Sequence, residues 1–343
     1  MNVKALLNTL SSRAGTLPII IFYVTEGCNL RCVTCSYRNP LPNELTLPEI
    51  EELAAHLKSF GLKHIVYSGG EPLLRRDFPD ICEIFRKHRV KQTLLTNGLL
   101  LEKRLDEIQS YFTEIIVSLD GPSAEVHDSI RGLTSFHQIL KGVRKTVLLQ
   151  DGPIVSLRSV VQRQNFRYLS EMVDLAASLR VARISFLPAD ILSDSFGRDT
   201  RGNASSSETI TLTVDETSEF RLSVERLIAS HRGSFETGFI SESPGKMRGI
   251  VQYFEALIGK SPFPFHPCNA PMVSSVITST GNILPCFFLP SYGNLHEGAF
   301  EAMVNNSSIQ STRKAVRAYS LDRCHTCVCR LHVKPHNALL NRF

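Results

Sequence analysis

Between residues 19 and 188, six short runs rich in β-branched residues alternate with five amphipathic runs. The pattern predicts strands at 19–24, 64–68, 92–96, 115–119, 155–161 and 183–186, with helices at 47–60, 78–88, 101–111, 136–149 and 168–179. The first helix carries its own start signal, a capping box of Thr46 and Glu49 around Pro48. Strict alternation implies parallel strands joined by right-handed crossovers. Six such units fall short of a closed eight-stranded ring, so the expected fold class is α/β, a partial (β/α)6 TIM-like barrel. Ligands of such barrels sit at the C-terminal ends of the strands.

The loop after the first strand reads Thr25-Glu-Gly-Cys28-Asn-Leu-Arg-Cys32-Val-Thr-Cys35. Its spacing, C-x3-C-x2-C, supplies three thiolates to a four-iron cluster and leaves one iron without a protein ligand. Zinc sites usually take four N or S ligands from two separated pairs, and a ferredoxin-type cluster fills its fourth position with another cysteine. Neither pattern is met locally.

At 343 residues the chain is long enough for one large domain with a smaller appendage. A hydrophobic content of 43% and a charged content of 21% are those of a globular protein, not of a disordered or fibrous one. The net charge of +5 is modest and its basic residues are dispersed, so nothing indicates nucleic acid. The longest early apolar stretch, 17–24, is far shorter than the ~20 residues that cross a bilayer. Cleavage of a leader there would destroy the cysteine loop, which predicts a cytoplasmic protein without a transmembrane segment. Nine cysteines in such a chain point to metal or cluster ligation, not disulfides. Cys82 alone stands apart, in a helical pattern, as a buried core thiol.

The cysteine loop resembles the signature of the radical S-adenosylmethionine (SAM) superfamily, in which the amino and carboxylate groups of SAM chelate the open iron of a 4Fe-4S cluster. Gly69-Gly70-Glu71-Pro72, after the second strand, resembles that family's GGEP motif. The resemblance implies that its backbone and Glu71 accept hydrogen bonds from the SAM ammonium. It also puts Asn97, Ser118 and Asp120 at strand ends on the rim of the SAM site, with Tyr37 near adenine. Ser118 and Asp120 are equally readable as turn residues. Arg158, on an apolar parallel strand, must find a partner, and the SAM carboxylate is one. The segment His127-Asp-Ser-Ile-Arg131-Gly132 recurs in relatives and reads equally well as a structural loop.

Alternation stops after residue 188. A Ser/Thr/Asp-rich stretch at 193–218 is expected to be a solvated loop or a lid, followed by helices near 215–231 and 245–258. From His266 a second cysteine group appears: Cys268, Cys286 on a hairpin expected to turn at Gly281-Asn282, then Cys324, Cys327 and Cys329. Spacing alone suits zinc or an iron-sulfur cluster equally. The arrangement resembles the auxiliary-cluster extension called SPASM or twitch. A full SPASM domain carries seven cysteines and two clusters, against five cysteines here, so the resemblance implies the shorter form. One auxiliary 4Fe-4S cluster would be held by Cys268, Cys286, Cys324 and Cys327, with Cys329 a replacement ligand or a spare thiol. The expected parts are thus an N-terminal extension (1–18), the barrel (19–188), a helical bridge (189–265) and a cluster domain (266–343).

The resemblance implies an enzyme that cleaves SAM reductively to a 5′-deoxyadenosyl radical and takes hydrogen from a substrate, for oxidation, bond formation or rearrangement. Its cofactors are SAM and the 4Fe-4S clusters, and its electrons come from a reducing partner such as flavodoxin or ferredoxin. Only eighteen residues precede the first strand, where peptide-modifying relatives often carry a recognition domain, which favours a small-molecule substrate over a peptide caught directly by the barrel. The rival of another class is a non-catalytic iron-sulfur electron carrier or sensor. It has no need of the GGEP segment or of an open iron.

Overall fold

A computed structural model of the chain describes residues 3–198, 208–334 and 337. Part of the Ser/Thr-rich stretch and the C-terminal tail of the expected cluster domain lie outside the described residues. The six expected strands are present as β1 (Ile19–Thr25), β2 (His64–Gly69), β3 (Lys91–Thr96), β4 (Glu114–Ser118), β5 (Ile154–Val161) and β6 (Arg183–Pro188). Each runs parallel to its neighbour. A short helix α1 (Val3–Asn8) precedes them, and crossovers run through α2 (Leu47–Ser59), α3 (Phe78–Lys87), α4 (Leu105–Tyr111), α5 (Ala124–Arg131), α6 (Phe136–Val147) and α7 (Leu169–Ser178). At the start of α2, Glu49 Oε2 accepts from the Thr46 N–H at 2.7 Å and from its hydroxyl at 2.6 Å.

Period-two alternation separates the two faces of the sheet. Ile20, Phe22 and Val24 of β1, Ile65 and Tyr67 of β2, and Ile115 and Val117 of β4 are fully buried in the core beneath the helices. Burial of each such side chain is worth roughly 1.5–3 kcal/mol. Their neighbours Ile21, Val66 and Ile116 face the barrel interior. Among the barrel crossovers, α5 is a helix the periodicity does not show: it occupies the stretch around His127–Arg131, started by the Ser123 side chain and stopped by Gly132 at φ 71°.

Beyond β6, α8 (Val214–Ser230) and α9 (Pro244–Leu257) pack through Phe220 and Phe254, whose ring centroids are 5.9 Å apart. An isolated bridge at Ile240, in the segment before α9, covers part of the open edge of β6: Ile184 N–H donates to Phe239 O at 2.8 Å and Ser241 N–H to Ile184 O at 2.9 Å. The C-terminal region adds to the same sheet. Its first strand, β7 (Ser274–Ile277), pairs in parallel with β1, and β8 (Asn282–Leu284) and β9 (Gly293–Asn294) follow antiparallel, giving the order β6-β5-β4-β3-β2-β1-β7-β8-β9. The hairpin turn is the four-residue stretch 278–281, with Gly281 at φ 82°, so Asn282 opens β8 instead of sitting in the turn. Thr278 closes it by accepting the Asn282 N–H on its hydroxyl at 3.0 Å. A further helix, α10 (Ser307–Arg317), buries Arg313, which donates to Pro271 O at 2.7 Å and Val304 O at 2.8 Å. No helix among the described residues is long and apolar enough to cross a membrane.

The fold clamps the cysteine loop from two sides. Gly70 N–H donates to Thr25 O and Glu71 N–H to Gly27 O, both at 2.8 Å. Opposite, Arg31 and Val33 donate to Arg131 O and Ile130 O at 3.0 Å, so the C-terminus of α5 holds the middle of the loop. Both clamps need glycine. A Cβ on Gly70 would stand 2.2 Å from Gly27 O, and one on Gly132, already at φ +71°, would stand 2.4 Å from Arg31 O. Gly132→Ala is expected to cost at least ~2 kcal/mol in urea unfolding of the apoprotein, from left-handed strain plus the contact. A value within ~0.5 kcal/mol of wild type, the usual range of a neutral surface change, contradicts the clamp.

Candidate functional site

Cys28, Cys32 and Cys35 open onto one cavity of about 250 Å³ at the C-terminal ends of the strands, shared with Gly69, Gly70, Asn97, Ser118 and Arg158. The loop is folded tightly around its own backbone: Cys28 N–H donates to Arg38 O at 3.0 Å, and the Arg38 guanidinium donates to Cys35 O at 2.9 Å and Tyr37 O at 2.6 Å. Burial pushes the Cys28 thiol up to about 11, and Glu71, Cys32 and Cys35 push it the same way. Burial likewise raises Cys35, with Cys32 adding to it. Thiols crowded together and desolvated are proton-bearing when bare, so a positive metal group would displace protons and relieve their mutual repulsion.

The GGEP segment meets this cavity through its glycines. The Glu71 carboxylate is fully buried and points elsewhere, accepting from Leu73 N–H at 3.1 Å, Thr96 Oγ1 at 2.9 Å and Asn97 N–H at 2.7 Å. Burial lifts it to about 7, against the pull of those donors. Glu71 thereby fixes the end of β3, and Pro72 opens a short 3-10 turn behind it. Asn97, so held, donates to Asn29 Oδ1 at 2.7 Å within the cysteine loop. Tyr37 is buried against Tyr23, ring centroids 6.3 Å apart, and lines neither cysteine cavity.

Asp120 is 2% exposed and does not line the cavity. It accepts from Val160 N–H at 2.8 Å and forms a buried ion pair with Arg131 at 2.7 Å. Arg131 reaches on to Cys32 Sγ at 3.7 Å and leaves its Nε buried without a partner. This cation beside the trio is the main residue that pattern reading left undecided; its signal was the His127–Gly132 segment itself. Asn165 helps to hold the pair, donating to Asp120 O and Val160 O at 3.0 Å.

The five C-terminal cysteines line a second cavity of about 300 Å³ lower in the barrel, together with inward residues of β1 to β4. Electrostatic coupling divides the thiols into two sets. Cys28 and Cys35 feel other members of the trio, whereas Cys286 feels Cys268 and Cys324, Cys327 feels Cys329 and Cys286, and Cys329 feels Cys268. Cys329 lines both cavities, as do Arg158, Phe287 and Phe288, so these residues form the partition between them. Arg158 donates to Ser185 Oγ at 3.2 Å. A second ion-pair system, absent from the sequence reading, ties the partition together. Asp190, after β6, pairs with Arg198 at 2.5 Å and with Arg323 at 2.7 Å, and Arg323 lies 4.6 Å over the Phe288 ring. The described part of the Ser/Thr-rich stretch thus sits against the site through Phe196 and Arg198.

The profile of the Radical SAM superfamily matches residues 22–176, and that of SPASM, an iron-sulfur cluster-binding domain, matches residues 268–328. The chain carries a radical SAM domain followed by a SPASM iron-sulfur domain. Fe-coproporphyrin III synthase of Methanosarcina barkeri is 33% identical to this radical SAM protein over 177 residues, 49% of this chain and 43% of that one. AdoMet-dependent heme synthase of the same organism is 26% identical over 306 residues, 85% of this chain and 83% of that one. The chain spans about half the length of several of the curated relatives it matches. Among solved structures, SuiB of Streptococcus suis bound to S-adenosylmethionine superposes with a TM-score of 0.63 at 16% identity, covering 97% of this chain and 76% of that one. The two domain matches bring with them a 4Fe-4S cluster, SAM and auxiliary iron-sulfur as cofactors. Both donor sets fit: soft thiols gathered around a cavity, with a buried, unpartnered Arg131 Nε beside the first.

The buried Asp120–Arg131 pair makes a measurable claim. Asp120→Ala should cost ~3–5 kcal/mol by leaving a buried cation unpaired, and adding Arg131→Met should recover at least half of that. Urea unfolding of the apoproteins tests it; a single variant within ~1 kcal/mol of wild type contradicts the pairing.

Proposed function

We propose that this radical SAM protein is an enzyme that holds a 4Fe-4S cluster on Cys28, Cys32 and Cys35 and an auxiliary one on the C-terminal cysteines. Cys28, Cys32 and Cys35 would hold the first cluster, which together with SAM would supply reductive cleavage of the sulfonium and, through it, hydrogen abstraction from carbon. The observation that carries this reading is the single cavity onto which the three loop thiols and the Gly69-Gly70 backbone open together.

The chain's own residues have three tasks. Gly69 and Gly70 offer backbone acceptors to the SAM ammonium, while Ser118 and Arg158 are placed for its carboxylate or ribose. Glu71 and Asp120 act one step back: Glu71 fixes Asn97, and Asp120 holds Arg131 beside Cys32, where its charge offsets thiolate charge. Phe196, Phe287 and Phe288 wall the cavity with apolar surface and exclude water, which a carbon radical requires. Of the C-terminal thiols, Cys268, Cys286, Cys324 and Cys327 are assigned as ligands, and Cys329 as the thiol in the partition.

The substrate is organic, a small molecule or a peptide side chain. The heme-synthase relative along most of the chain favours the small molecule. Nine free thiols suit the reducing cytoplasm, where we place the protein with its reducing partner.

Anaerobically reconstituted protein should bind about eight irons per chain, as two 4Fe-4S clusters require. With dithionite and SAM it should release 5′-deoxyadenosine. Cys28→Ser, Cys32→Ser or Cys35→Ser should abolish that release and leave about four irons. SAM recovered intact from the reduced wild type contradicts the proposal and returns the chain to the electron carriers.

A further inference from the structure

The segment that leaves β6, residues 190–198, lines the upper cavity through Asp190, Phe196 and Arg198 and is tied to both cysteine groups. At its start the buried Asp190 carboxylate takes two guanidinium groups, Arg198 from the far end of the same segment at 2.5 Å and Arg323 from the C-terminal region at 2.7 Å. Arg198 also donates to Ser195 O at 2.9 Å, which folds the segment back on itself. In its middle, Ser195 Oγ donates at 2.7 Å to the carbonyl of Phe287, the residue after Cys286. Phe196 O accepts from the Ser36 N–H at 3.0 Å and lies 3.7 Å from Cys35 Sγ. One strap thus touches the trio with its own backbone and the C-terminal group through Arg323 and Phe287.

Phe196 makes its contact at a cost. Its φ is +63°, in the left-handed region, and Gly197 follows at +71°. A residue with a Cβ stays there only where its surroundings over-determine it. Here the surroundings are the Phe287 and Phe288 rings, centroids 6.1 and 6.4 Å away, and the Ser36 amide. Arg323 lies 4.6 Å over the same Phe288 ring and precedes Cys324 in sequence. The fastened form of the strap is therefore maintained from outside, by partners whose positions are set beside Cys286 and Cys324. A strained segment held by such partners is an element that both cysteine groups can bias.

We propose that Asp190 is a positioning residue that couples SAM affinity at the trio to the state of the C-terminal cysteine group. When that group is loaded, Arg323 and Phe287 are fixed, Asp190 holds the strap against the cysteine loop, and SAM is bound tightly. When it is empty, the strap releases and SAM binds weakly. The proposal rests on the reading that SAM binds at the trio, and linkage makes it reciprocal: SAM steadies the C-terminal group by the same factor.

The test is equilibrium dialysis of isotopically labelled SAM against the anaerobically reconstituted full chain in four forms: wild type, Asp190→Asn, Cys268→Ala with Cys286→Ala, and all three changes combined. Emptying the C-terminal group and removing the Asp190 charge should each raise the dissociation constant about tenfold, a usual size for such coupling. Because both release the same strap, the combination should also stay at about tenfold, whereas independent effects would multiply to about a hundredfold. Arg323→Gln removes the partner from outside the strap and should match Asp190→Asn. Hydrogen exchange of the Ser36 amide, read by mass spectrometry in the same proteins, should speed up in every variant while the core strands stay protected, a local change that a general loss of stability would not produce. Dissociation constants that multiply, or a Ser36 amide as protected in Asp190→Asn as in wild type, overturn the coupling. A wild type that binds no SAM overturns the reading of the trio instead.

Discussion

Everything in this fold depends on holding three thiols still at the end of one strand. A loop that supplies three ligands to a large inorganic group cannot wander, because an open fourth position is useful only when the other three are fixed. The chain achieves this first with backbone contacts. The Gly69-Gly70 turn presses on the loop from β2, and the C-terminus of α5 presses from the other side, each close enough that no Cβ fits between. Side-chain charge then follows geometry. Asp120, rooted at the end of β4 and in β5, aims Arg131 at Cys32.

The second consequence is vertical. Because β7 continues the barrel sheet in parallel beside β1, the C-terminal cysteines hang into the lower half of the same interior whose upper half holds the trio. Leu95, Ile116, Arg158, Phe287, Phe288 and Cys329 line both cavities. Asp190 locks this shared wall by pairing with Arg198 above and with Arg323, the residue before Cys324. Redox groups held in these two cavities would be neighbours, with apolar rings and a buried ion pair in the wall between them.

The parts of this design that rest on local rules were legible in the sequence. Strand and helix periods announced the six parallel units, Thr46 and Glu49 marked the start of α2, and fixed cysteine spacing announced the trio. Arg158 stood out because a cation in an apolar strand needs a reason. What stayed hidden was long-range. β7 pairs with β1 across some 250 residues of chain, and nothing in a four-residue strand states its partner. Asp120 and Glu71 read as groups free to meet a ligand because their actual partners, the Val160, Leu73 and Asn97 amides and the Arg131 guanidinium, are brought in only by folding. Asp190 carried no motif at all. Its role comes from lying where β6 ends and the second cysteine group begins.

The most direct measurement is electron paramagnetic resonance of the reduced chain carrying Cys268→Ala and Cys286→Ala, which isolates the N-terminal cluster, recorded with and without SAM. A centre lacking one protein donor should change its g-values when the amino and carboxylate groups of SAM complete it. A signal identical in both samples would mean that the iron is already fully coordinated by the chain, and the three thiols would then hold a closed centre.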